Sequence, residues 1–229
     1  MSNDYPDHLY YNNTYFFGPY LHHGRVDPKF IKDLLAIGEK SQDMIDMKKN
    51  LAGDLKGEWK FSEEDQRWFC KHMRLNFEHY MKQRASWHAD PELEKRGYII
   101  DNVWINYQHP GDYQPEHIHA GDFSWVIYLQ NPPGLEEERD NHDTRGPAPG
   151  TITFSYGECV GMTIENYAVI NQNFANKVGD FFIFPAQLRH SVPQFKSDGV
   201  RISISGNGSF QEKHSPYNDY FYGAQRINN

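Results

Sequence analysis

From Gly97 onward, six short apolar runs follow one another, at 98–108, 123–129, 151–155, 167–171, 180–184 and 200–205, divided by stretches rich in Gly and Pro. Runs of this length, enriched in Val, Ile, Phe and Tyr, read as strands, and their succession with turn residues between them points to a sandwich or jelly roll. The first 97 residues have a different texture. Asp27-Pro28 opens a helix, with Asp as N-cap and Pro at the first helical position, and Phe30, Ile31, Leu34, Leu35 and Ile37 give it an apolar stripe to about Met47. Ser62 and Asp65 resemble a capping box before a second helix, in which Phe69, Cys70, Met73, Phe77, Tyr80 and Met81 recur at helical spacing. Helices followed by strands predict a layered α+β protein, mainly β, with these helices on the outside of a sheet.

The expected organisation is a single domain over 1–229. Residues 1–97 form a helical and edge-strand support, 98–206 the β core, and 207–229 a polar, Tyr-rich tail packing back across the sheet. Residues 10–21 read as one strand and a turn at Gly18-Pro19 that cover a sheet edge, and 51–59, with two glycines, as a connector. Residues 131–150 (NPPGLEEERDNHDTRGPAPG) read as a mobile loop, placed either as a lid at a barrel mouth or as a solvated insertion. His72 and His79 are expected to be ordinary surface or boundary residues.

Charge narrows the partners. The chain carries 23 Lys+Arg against 31 Asp+Glu, a formal −8, without a basic run to follow a phosphate backbone, so nucleic acid is not an expected partner. Two cysteines, Cys70 and Cys159, do not make a disulfide framework and fit a reducing cytoplasm (a host's, if the chain is viral). The polar start has no signal-peptide core, and no apolar run approaches the roughly 18 residues of a membrane span, so no membrane partner is expected. Aromatics at 15% within only 38% hydrophobic residues suggest sheet packing by rings with polar tips.

Chemistry concentrates at His117-Ile118-His119. Residues two apart on an extended strand share a face, so both imidazoles would project into whatever that strand lines. His190 stands just beyond the run GDFFIFP, and Arg201-Ile202-Ser203 lies on another alternating run. Three imidazoles on one face suit Fe, Zn, Cu or Ni and leave positions open for substrates. Each piece alone also has a plain structural reading: polar residues at a strand end, a strand arginine in a surface ion pair, core tyrosines with wet hydroxyls.

As a linked set, the residues resemble a known family. Gly111, His117-x-His119, then Gly179, Pro185 and His190 look like the two metal motifs of the cupin and double-stranded β-helix superfamily, although Phe123 and Ser124 stand where the first cupin motif has Glu. Arg201-x-Ser203 is similar to the closing motif of the 2-oxoglutarate and Fe(II)-dependent oxygenases. The run Trp104-x-Asn106, His117-x-His119, Ser124-x-x-x-Tyr128-Leu129, Gly179-Asp180-x-x-x-Phe184-Pro185, His190, Arg201-x-Ser203 resembles a prolyl-hydroxylase-like group of such oxygenases found in bacteria and tailed phages. The likeness covers about residues 100–206.

That resemblance implies a jelly-roll, cupin-like double-stranded β-helix in which His117, His119 and His190 bind Fe(II). Arg201 and Ser203 would hold the distal carboxylate of 2-oxoglutarate, with Tyr107 and Tyr128 completing its pocket. With O2 as oxidant, 2-oxoglutarate would be converted to succinate and CO2 while a C–H bond is hydroxylated, on a protein side chain such as proline or on a small molecule. The family usually presents His-x-Asp or His-x-Glu where this chain has His119, so Asp122 or Glu116 is an alternative carboxylate ligand. Two rival readings are a cupin-type three-His metalloenzyme that uses no 2-oxo acid and a jelly-roll binding module in which Trp104, Trp125 and Tyr113 stack on sugar rings.

Overall fold

Gly18-Pro19 turns the chain back on itself, and the aromatic run around it forms two strands where one was expected. β1 (Leu9–Phe16) and β2 (Tyr20–Val26) pair antiparallel, with Phe16 opposite Tyr20. Gly18 sits at φ 95°, a left-handed conformation that glycine adopts without a Cβ clash. These coordinates are a computed structural model that describes residues 9–16, 18–41, 57–157 and 170–212.

Helix α1 (Pro28–Ser41) begins as its sequence dictates. The Asp27 carboxylate accepts the otherwise unpaired N–H of Phe30 at 2.9 Å, and Pro28 sits where a missing N–H costs nothing. The expected continuation to Met47 lies outside the described residues. The connector expected at 51–59 ends as a strand, β3 (Gly57–Lys60). Helix α2 (Glu63–His88) is capped by Ser62: its hydroxyl oxygen accepts from Asp65 N–H at 3.1 Å and donates to the Asp65 carboxylate at 2.5 Å. It stops where Ala89 turns left-handed at φ 50°. A short α3 (Pro91–Glu94) leads into the β region.

That region holds β4 (Arg96–Gln108), β5 (Gln114–His117), β6 (Phe123–Gln130), β7 (Ile152–Tyr156), β8 (Ile170–Phe174), β9 (Asp180–Pro185), β10 (Arg189–Val192) and β11 (Arg201–Glu212). The strands form a seven-stranded sheet in the order β1-β2-β9-β6-β11-β4-β3 and a four-stranded sheet in the order β5-β10-β7-β8, with antiparallel pairing throughout. This is a mainly β, double-stranded β-helix with α1 and α2 on one face of the large sheet. β1 closes one edge of the large sheet, as expected of the aromatic run. Of the run expected at 167–171, residues 167–169 lie outside the described residues and 170–171 fall in β8, while β11 runs on through Glu212.

The large sheet is covered on both sides, and the pleat divides its residues strictly. Val103, Ile105, Phe123, Trp125, Ile127, Phe181, Ile183, Ile202 and Ile204 face the helices, where Leu34, Phe69, Met73, Phe77 and Tyr80 close over them in one buried cluster. Their alternate neighbours face the small sheet, where Val126, Tyr128, Phe182 and Phe184 meet Leu21, Ile152, Phe154, Phe174 and Leu188. Each fully buried side chain of this size contributes about 1.5–3 kcal/mol, so the helix-side layer anchors the fold.

Residues 131–150 depart from the loop expected of them. They contain α4 (Leu135–Asp140), and the Arg139 guanidinium ties the segment down by donating to Pro149 O at 2.9 Å, Gly150 O at 3.0 Å and Asn176 O at 3.1 Å. The Glu138 carboxylate accepts from Lys196 N and Ser197 N at 2.9 and 2.8 Å. Among the described residues no helix is long and apolar enough to cross a membrane.

Candidate metal centre

Two strands that the apolar pattern did not announce carry the histidines. β5 and β10 are short and polar, and they are neighbours in the small sheet, with His117 directly opposite His190. His119 lies two residues past the end of β5, where its backbone N–H donates to Ala186 O at 2.9 Å. The three rings converge: centroids are 4.3 Å apart for His117 and His190, 4.9 Å for His117 and His119, and 5.0 Å for His119 and His190. One nitrogen from each lies within 4.8 Å of the others, a spacing that could hold a metal ion.

Backbone carbonyls choose the tautomers. His117 Nδ1 is 2.8 Å from Pro115 O and His190 Nδ1 is 2.9 Å from Leu188 O. A carbonyl only accepts, so each Nδ1 carries the proton and each Nε2 presents a lone pair. His190 Nε2 and His119 Nε2 face each other at 3.2 Å. Burial holds all three rings neutral, the form that ligates metal. It pushes His190 well below the ordinary histidine range, helped by His117 and His119; it takes His119 to about 4, with His117 adding to the effect; and it lowers His117.

The rings open into a cavity of about 190 Å³ between the two sheets, lined on its far wall by Tyr128, Arg201 and Ser203. Arg201 is only 4% exposed. Its Nη1 donates to Gln108 Oε1 at 2.8 Å, its Cζ lies 4.7 Å from the centre of the Tyr128 ring, and its buried Nε has no hydrogen-bond partner. Among the described residues no carboxylate pairs with it. A guanidinium out of water and without an anion is costly, so this wall is built for an acidic ligand.

A family model described as "Putative 2OG-Fe(II) oxygenase" matches residues 102–207, which span every one of these side chains. That segment, a little under half of the chain, is similar to 2OG-Fe(II) oxygenases. Solved structures share the fold. A Pseudomonas putida prolyl-4-hydroxylase is 12% identical with a TM-score of 0.50, covering 84% of this chain and 92% of its own. The epimerase SnoN from nogalamycin biosynthesis, solved with Fe3+, alpha ketoglutarate and nogalamycin RO, is 15% identical with a TM-score of 0.50, covering 91% and 88%. No curated protein sequence matches the chain.

The family of that model uses Fe(II) and 2-oxoglutarate with O2, and the residues present fit the first two. Three neutral imidazoles suit a borderline metal, and an unpaired buried guanidinium suits a dicarboxylate.

The structure departs from the sequence reading at Tyr107 and at both alternative carboxylates, Asp122 and Glu116. Tyr107, expected beside the co-substrate, is on the other face of β4: it packs edge-on against Trp59 at 5.1 Å within the helix-side cluster. One residue's shift along a strand reverses the face. The residue that reaches Arg201 is instead its register partner Gln108. Asp122, the alternative ligand, is turned away: its carboxylate accepts from Phe210 N at 2.6 Å and does not join the imidazole cluster. Glu116 is also outside that cluster, 3.6 Å from Arg189 at the surface.

Asn102, Asn106, Gln108 and Glu58 line the cavity and are not among the site residues expected from the sequence. A signal for three of them is present. In residues 102–108 apolar Val103 and Ile105 alternate with Asn102, Asn106 and Gln108, and a sheet covered by helices turns its apolar side to them. Residues 131–150 contribute nothing to the cavity lining, so a lid there has no support from this structure.

Proposed function

We propose that the domain hydroxylates a C–H bond of a prime substrate, a protein side chain such as proline or a small molecule, while 2-oxoglutarate is converted to succinate and CO2. One observation carries the reading: three converging neutral imidazoles and an anion-less buried guanidinium line the same cavity. His117, His119 and His190 are the proposed ligands. Bound Fe(II) supplies the activation of O2 that is coupled to oxidative decarboxylation of the 2-oxo acid.

The chain's own residues bind and orient. The carbonyls of Pro115 and Leu188 fix two imidazoles with Nε2 inward, so that neither of these two rings has to reorient on loading. Arg201, positioned by Gln108 and the Tyr128 ring, holds the distal carboxylate of 2-oxoglutarate, and the Ser203 hydroxyl, on the same face, donates to it. Val126, Ile152, Phe184 and Val192 keep water from this end of the cavity. Residues 98–206 would be the catalytic core and the N-terminal helices its support. Cys70, a buried free thiol, is compatible with a reducing cytoplasm.

The all-histidine ligand set favours a second reading, a cupin-type metalloenzyme without a 2-oxo acid, for which Arg201 would be dispensable. Anaerobic titration of the purified protein with Fe(II) and then 2-oxoglutarate separates the two. A visible charge-transfer band that weakens in Arg201→Ala is the expected result. Iron binding without the band would select the second reading, and no iron binding would leave a binding module.

A further inference from the structure

The cavity is closed at one end and open at the other, and two strands of its wall show the gradient. On β11, Arg201 and Ser203 are buried while Ser205 and Asn207 are half-buried; on β4, Gln108 and Asn106 are buried while Asn102 is half-buried. Residues two apart on a strand are about 6.5–7 Å apart, so Trp104, opposite Ser205, stands roughly 13 Å along β4 from Gln108, the register partner of Arg201. The histidines belong to the open end. The His119 ring is 6.1 Å from that of Trp104, and Ile118, between His117 and His119, is 54% exposed. The His190 ring is 4.9 Å from Phe184, which is in register with Ser124 and, through it, with Asn207.

2-Oxoglutarate held at Arg201 and reaching the imidazoles takes the closed part of this cavity. What lies beyond the imidazoles is therefore the place for a second molecule, and two of its side chains have a defined chemistry. Trp104 lines the cavity with an indole beside the metal centre. Asn102 has a fixed amide: its Oδ1 accepts from Asn207 N at 3.1 Å, and because a backbone N–H only donates, the oxygen stands there and Nδ2 is left as a donor at the cavity wall. Glu58 lies one row further in, opposite Asn106, and the register partner of Trp104 on β3 is a cation, Lys60.

We infer that Trp104 and Asn102 form the prime-substrate subsite, and that the substrate presents a C–H-rich face to the indole and an amide carbonyl to Asn102 Nδ2. A peptide-bonded residue meets that description and a free amine does not. The inference rests on the oxygenase reading above. The test uses the anaerobic Fe(II)·2-oxoglutarate holoprotein and three probes. N-methyl-2-pyrrolidinone has a ring face and a carbonyl, N-methylpyrrolidinium has the ring without an acceptor, and formamide has the carbonyl without an apolar face.

N-methyl-2-pyrrolidinone should shift the charge-transfer band at a concentration about tenfold below either of the others. Asn102→Asp keeps the acceptor for Asn207 N–H and removes the donor. It should weaken N-methyl-2-pyrrolidinone about tenfold, turn the preference towards N-methylpyrrolidinium, and change 2-oxoglutarate affinity less than about twofold. Trp104→Ala should weaken N-methyl-2-pyrrolidinone about tenfold and Trp104→Phe, which keeps a ring, less than about threefold. Should Trp104→Ala not form the band, Trp104→Phe and Asn102→Asp decide. The inference fails if N-methylpyrrolidinium or formamide shifts the band of the unaltered protein as strongly, if no probe moves it, or if Asn102→Asp leaves N-methyl-2-pyrrolidinone unchanged or weakens it and 2-oxoglutarate alike. Absence of the band before any probe is added is a separate failure, of the oxygenase reading, and the inference falls with it.

Discussion

The two faces of the large sheet are made by the same strands and do opposite work. On the helix side, Val103, Ile105, Trp125, Ile127, Ile202 and Ile204 are buried against apolar partners. On the cavity side, the residues between them include Asn106, Tyr128, Arg201 and Ser203, of which Asn106, Tyr128 and Arg201 hold buried polar atoms without a hydrogen-bond partner. Stability is concentrated on one face, and the other can therefore carry groups that stabilise nothing until a ligand arrives. The division costs the chain only alternation along each strand.

The largest effect should come from the helix side. Phe69→Ala removes a fully buried ring between α2 and the sheet and should cost about 3–5 kcal/mol of unfolding free energy, read by denaturant titration. Next, Arg201→Met on the cavity side should leave the ligand-free protein as stable or more so, since it removes an unpaired buried charge. It should weaken 2-oxoglutarate by about 2–5 kcal/mol, measured by titration of the Fe(II) form. A loss of stability comparable to Phe69→Ala would break the contrast between the faces.

His22 is an exception on the helix side that sharpens the contrast. It is 1% exposed, neither ring nitrogen has a hydrogen-bond partner, and its ring lies 5.1 Å from that of His79. Burial, with His79 and His23 adding, lowers its pKa to about 3. Unfolded, the ring titrates near ~6.5, so below that pH the unfolded state binds a proton that the folded state refuses. Its contribution is absent above about pH 6.5 and becomes increasingly destabilising as pH falls towards 3. His22→Leu should flatten the fall in melting temperature between pH 7 and pH 4. The smallest effect belongs to Tyr107→Phe, which should leave 2-oxoglutarate affinity within about twofold because the ring is on the wrong face.

Much of this was legible from the sequence, for identifiable reasons. The Asp27-Pro28 and Ser62-x-x-Asp65 starts write their helices locally, and the long apolar runs write β4, β6 and β9. β5 and β10 were illegible because Gln-Pro-Glu-His and Arg-His-Ser-Val have no apolar alternation; their pairing and the sheet around them make them strands. The three histidines and Arg201 were found as types at a spacing, and the structure brings them to one cavity. Tyr107 was misplaced because its aromatic character was weighed without the parity of its strand. Glu58 was hidden because its strand looked like a connector, and it reaches the cavity wall through the pairing of β3 with β4.

The pairing of His117 with His190 has a mechanical consequence. Among the described residues β5 is the outermost strand of the small sheet and has β10 as its one sheet neighbour. An ion held by both rings would act as a rivet through the sheet's margin, joining strands that otherwise hold each other by a few backbone hydrogen bonds. Loading should then slow amide exchange at Glu116 and His117 more than at any strand of the large sheet, and a chelator should release it. The rivet would make the rim of the barrel stiff only when the protein is ready to turn over.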